Sequence, residues 1–135
     1  MISMDGCTEL MSLTHLDMSH NMLDLRTVDL TQLTRLTHIS IAQDTLISLG
    51  HDHVSGLPVS TQHLLVTAAP QLSSLQSGVF DSLPHLTSLI ITDNPLLSSL
   101  SFHLISDHHS GLRLINLTNN SLTTLHHNSL PLNQV

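Results

Sequence analysis

Histidine is the chemically versatile side chain this sequence uses most freely, with twelve copies in 135 residues against a single cysteine. A zinc site needs three or four converging ligands. The tightest histidine groupings are His51 with His53, His108 with His109, and His126 with His127. Neighbouring residues in an extended segment point to opposite sides, which disfavours the two adjacent pairs as joint ligands. His51 and His53 can share a face, but no third ligand stands at a recognisable spacing, so no metal site is expected and these groups read as solvated surface. Serines and aspartates are abundant, yet no nucleophile elbow, phosphate loop or zinc motif organises them. The sequence therefore predicts a non-enzymatic chain with no catalytic residue and no cofactor. A wider spacing is more informative. His15, His38 and His63 recur 23 and 25 residues apart. On equivalent strands they would form a column of imidazoles, and mild acid would crowd like charges along it.

That spacing belongs to a larger pattern. Leu13, Leu16, Met18, Asn21 and Leu23 follow L-x-x-L-x-L-x-x-N-x-L, and so do Leu36, Ile39, Ile41, Asp44 and Leu46. A degraded copy holds Thr61, Leu64, Val66, Ala69 and Gln71, with Leu72 one place late. The full pattern returns as Leu86, Leu89, Ile91, Asn94 and Leu96, then as Leu112, Ile115, Leu117, Asn120 and Leu122. Five copies at a period of 23 to 26 residues define a repeat array, the signature of a leucine-rich repeat. Apolar residues two apart share one face of a short strand, so strands near 15–18, 38–41, 63–66, 88–91 and 114–117 are predicted to stack in parallel over a common core. The asparagine marks where the chain leaves each strand, because its amide can both donate to and accept from buried loop backbone. Ala69 and Asp44 are expected to break this ladder, and Asn94 to be buried and satisfied.

The return segment Leu72, Leu75, Gly78, Val79, Phe80, Leu83, Pro84, Leu86 resembles the typical leucine-rich repeat of about 24 residues found in Toll-like and chaoptin-like ectodomains. The family's buried phenylalanine position is held here by Cys7, Leu30, Ser55, Phe80 and Ser106, and Cys7 reads as a small buried hydrophobe. The resemblance covers residues 10 to 135. It implies an α/β solenoid, a right-handed coil with a curved parallel sheet on its concave face and irregular or short helical convex segments. The chain reads as one array, 1–135, of about five repeats starting near 13, 36, 61, 86 and 112. Leu10 resembles the tail of an earlier repeat and Val135 stands where another would begin, so an internal, uncapped fragment of a longer protein is expected.

Composition narrows the partners. The formal net charge is -7, with three arginines and no lysine. Arg26, Arg35 and Arg113 cannot form the basic stripe that nucleic acid requires, and an anionic membrane surface is disfavoured for the same reason. No stretch approaches the length of a membrane span. The outward strand positions carry the expected binding function. Leu65 and Ile90 are expected to be outward-facing apolar residues on adjacent repeats, flanked by His63 and Thr87, and with Thr67 and Thr92 they are the expected contacts for a protein ligand or co-receptor. Two sequons, at Asn116 and Asn119, are glycosylation candidates if the parent protein is secreted. The expected role is a non-catalytic interaction module in an extracellular or cell-surface protein; an intracellular scaffold or adaptor is the alternative.

Overall fold

The computed structural model describes residues 11–20, 24–98 and 111–123, together with the backbone of residues 2–3. Positions 7, 21, 106, 108–109 and 126–127, discussed above, lie outside the described residues. The five repeat strands form one parallel sheet in sequence order: β2 (His15–Asp17), β4 (His38–Ile41), β6 (His63–Thr67), β8 (Ser88–Thr92) and β9 (Leu114–Asn116). Register is the one the repeats imply, pairing His15 with His38, His38 with His63, His63 with Ser88, and Ser88 with Leu114. One carbonyl just before each strand accepts two amides from the next repeat. Thr14 O takes Thr37 and His38, Thr37 O takes Gln62 and His63, Gln62 O takes Thr87 and Ser88, and Thr87 O takes Arg113 and Leu114.

Strand alternation sends Leu36, Ile39, Ile41, Leu64, Val66, Leu86, Leu89 and Ile91 into the core, all no more than 2% exposed. On the back of the coil Leu72, Leu75, Val79, Phe80 and Leu83 complete it. Met18, in the first repeat, is buried as well. Among the described residues convex structure is sparse, with a 3-10 turn at Leu25–Thr27, the helical turn α1 (His51–Val54), and paired two-residue strands. These are β1 (Ile2–Ser3) with β3 (Val28–Asp29), and β5 (Ser48–Leu49) with β7 (Ser74–Leu75), all parallel.

Three sequence assignments shift by one residue. In repeat four Leu96 is 55% exposed, and Leu97 takes the core position instead. In repeat two Asp44 is exposed and Gln43 is buried. Backbone turns explain both: Leu46 N–H donates to Gln43 O, Leu72 to Ala69 O, and Leu97 to Asn94 O, so Gln43, Ala69 and Asn94 are equivalent. Repeat two therefore reaches its ladder residue one position early. It recovers the phase later, because Val54, not the exposed Ser55, fills the position of Leu30 and Phe80, and the chain then spends one extra residue before Thr61.

The turn also has a backbone signature. His20, Ala68, Asp93 and Asn119 have φ of 57°, 51°, 60° and 58°, each just before the ladder position of its repeat. The shortened repeat two has no such residue. Left-handed backbone is cheap for Asn, Asp and His but costs alanine about 1–2 kcal/mol.

Candidate concave binding face

The ladder that ends each strand is what holds the concave face in register. Asn94 is 0% exposed. Its Oδ1 accepts from Ala69 N–H at 3.1 Å, and its Nδ2 donates to Val66 O at 3.4 Å and to Asn120 Oδ1 at 3.1 Å. Asn120 Oδ1 also accepts Asn94 N–H, and Asn120 Nδ2 donates to Ile91 O at 2.7 Å and Leu117 O at 2.8 Å. Ala69 interrupts this chain of amides, as the sequence implied. Beyond the gap, the buried Gln43 Nε2 has no hydrogen-bond partner.

On the outer side of the sheet the histidines stack. His15 and His38 ring centroids lie 3.9 Å apart at an interplanar angle of 13°, and His38 and His63 lie 4.1 Å apart at 21°. Threonine hydroxyls tie two of the rings at their inner nitrogen: Thr14 Oγ1 is 2.9 Å from His15 Nδ1, and Thr37 Oγ1 is 2.8 Å from His38 Nδ1. The central ring is half-buried and has a ring stacked on each face. Burial, then its neighbours His63 and His15, lowers the His38 pKa below the usual histidine value. The rings lie face to face, one above another, rather than arranged edge-on around a common point. Among the described residues no group of three His, Cys, Asp or Glu is placed to hold a metal ion.

A shallow groove of about 480 Å³ runs over this column, lined by His15, Asp17, Ser40, His63, Leu65 and Ile90 among others. Asp17 closes its first-strand end; hydrogen bonds from the Ser19 hydroxyl and backbone N–H hold its carboxyl below the ordinary range. Leu65 and Ile90 are directly paired across β6 and β8 and half-buried, so their side chains form an apolar floor beside the rings. Thr67 is half-buried at the far end of β6, its Oγ1 3.4 Å from Thr92 Oγ1. Thr92 points to the same face but is only 9% exposed. Its neighbours cover it, and it offers a partner far less surface than the sequence reading assumed. The sheet thus brings His63, Leu65, Ile90 and Thr67 together and withdraws Thr92.

The two sequons differ. Asn116 sits half-buried in β9 with its Oδ1 accepting Thr118 N–H at 3.0 Å, whereas Asn119 is exposed on the turn. The arginines lie away from the groove. Arg26 forms a two-pronged pair with Asp24, through Nε at 3.0 Å and Nη2 at 2.8 Å, which holds the Asp24 carboxyl at about 2.

No family model matches this sequence, and no curated protein does. Among solved structures the chain is similar to TLR13 in the crystal structure of its complex with ssRNA13, at a TM-score of 0.59 and 25% identity over 96% of this chain. It spans 21% of that TLR13 chain. With the stacked parallel coils and the asparagine ladder, this likeness makes the chain a leucine-rich-repeat solenoid of α/β type, with few helices. No helix among the described residues is long and apolar enough to cross a membrane.

Proposed function

We propose that this chain is a segment of a non-catalytic recognition surface in an extracellular or cell-surface leucine-rich-repeat protein, and that its concave face takes a protein ligand or co-receptor. The groove carries this reading: an apolar pair, Leu65 and Ile90, lies beside hydrogen-bonding rings on a sheet fixed from beneath by the core. Aliphatic anchors surrounded by polar groups are what concentrate binding energy at protein interfaces.

The solved TLR13 complex contains single-stranded RNA, which raises RNA as a second reading. Charge weighs against it here. The chain carries -7 with three arginines and no lysine, and no arginine lines the groove. Phosphate contacts supply most nucleic-acid affinity and need cations.

The test uses the full-length parent protein. Leu65→Asp with Ile90→Asp should weaken partner binding at least tenfold. Ile47→Asp with Val59→Asp, at positions 61% and 62% exposed and off the groove, should leave it unchanged. The reverse pattern would reject the concave face, and indifference to both pairs would make this segment a spacer. For location, glycan on Asn119 in the expressed parent would favour the secreted reading over an intracellular scaffold.

A further inference from the structure

The histidine column stops two repeats short of the sheet's last strand. Positions paired across the five strands run His15, His38, His63, Ser88, Leu114. One face of His63 is stacked on His38, and among the described residues no ring covers the other. The next residue in that direction, Ser88, is small, only 8% exposed, and lines the groove. Beyond it Leu114 stands 48% exposed. His63 and Leu114 are two strand spacings apart, an interval of about 9.6 Å. A ring placed at the 4.1 Å separation already seen between His38 and His63 falls near the middle of that interval. Its edges would meet Leu65 and Ile90, the apolar pair next along the same strands.

We propose that this break in the column is a slot for one aromatic side chain of the protein partner, stacked on His63 with Leu114 as the opposite wall. The inference rests on the protein-binding reading above and sharpens it to a partner residue type. A flat ring repeats the spacing the column already uses, which a branched aliphatic chain is too thick to do. A nucleobase is also flat, but it brings a phosphate chain to a groove whose charged side chain is Asp17 and which contains no lysine or arginine. Among the described residues the chain supplies no such ring itself, since Phe80 is buried in the core, and the sequence has no tyrosine or tryptophan.

That composition makes the experiment direct. N-acetyl-tryptophanamide would be the only indole in solution when the intact 135-residue chain is titrated into it. Saturable quenching is expected, with NMR shifts at His63, Ser88, Ile90 and Leu114. Ser88→His, which continues the column into the slot with a residue that three other repeats carry there, should weaken binding at least tenfold. His63→Ala, which removes the platform at a half-buried surface position, should do the same and covers the case in which Ser88→His fails to fold. Adenosine monophosphate should bind at least tenfold more weakly than the amide. No saturable binding, binding retained in both variants, or equal binding of adenosine monophosphate would overturn the proposal. In the parent protein, partner binding that is lost with Leu65→Asp and Ile90→Asp but unchanged with Ser88→His would remove the slot and leave the concave-face reading standing.

Discussion

Replacing Asn94 with alanine tests the ladder at its best-connected point. The side chain is 0% exposed and makes three hydrogen bonds. Loss of Oδ1 leaves the buried Ala69 N–H without an acceptor, which costs about 1–3 kcal/mol. Loss of Nδ2 is milder, because Asn120 Oδ1 still accepts Asn94 N–H and the bond to Val66 O is long at 3.4 Å. Adding about 1 kcal/mol for that second loss gives an expected destabilisation of about 2–4 kcal/mol. Urea unfolding followed by circular dichroism reads this as a fall in midpoint of about 1–2 M, given a typical slope of about 2 kcal/mol per molar. Asn94→Asp should be no milder. It keeps an acceptor for Ala69 but turns oxygen toward Asn120 Oδ1 and buries a charge. A midpoint shift below about 0.2 M at unchanged slope for Asn94→Ala would show that the amide chain does not couple the repeats, and the reasoning would fail.

Other expectations follow from single positions. A Cβ on Gly56 would lie 1.9 Å from the Val28 carbonyl oxygen, so Gly56→Ala should cost about 2–3 kcal/mol, whereas Gly111→Ala, with nothing within 4 Å, should change stability by less than about 0.5 kcal/mol in the same denaturation assay. Ala68→Gly relieves a left-handed alanine at φ 51° and should stabilise by about 0.5–1 kcal/mol, net of glycine's extra unfolded freedom; a lowered melting temperature would contradict it. For pH, the folded state holds His38 below its ordinary value of 6.5, so the unfolded chain takes up that proton first. Stability should fall as pH drops below 6.5 and flatten once the folded ring also protonates, and His38→Gln should remove this dependence from melting curves taken between pH 7.5 and 5. A separate loss is expected lower down, as pH falls from 3.8 towards about 2 and Asp24 surrenders its charge.

The strands were legible because two independent periodicities coincide in them, apolar residues two apart and a repeat of 23 to 26 residues. The histidine column followed from the same register. Phase within the loops was not legible. Leu96 and Leu97 satisfy a leucine template equally well, and only the backbone turn from Asn94 selects the second; Leu72 standing one place late in the preceding repeat was the signal available. Repeat two hid its early ladder residue because Asp44 looks like a conservative stand-in for asparagine, while Gln43 does not fit a fixed template. Thr92 shows the limit of alternation. The pattern gives the direction of a side chain correctly but says nothing of how far its neighbours close over it. Two-residue convex strands such as β5 and β7 are too short to leave any periodic trace.

Those short strands have a geometric consequence. Hydrogen-bonded strands sit about 4.8 Å apart, and between repeats two and three this holds on both sides of the coil: β4 with β6 in front, β5 with β7 behind. A stack bends only when its rear elements are spaced more widely than its front ones. Where both are clamped to one distance the two repeats lie flat against each other, like a pair of pages with no wedge between them. Bending then has to be taken up at other junctions. In the next repeat step the described residues show no strand pairing behind β6 and β8, and the large Phe80 ring lies in the core there. A ligand spanning the groove from His15 to Ile90 would cross this unwedged step where it passes from His38 to His63. Its own shape must therefore be flat across those two rings.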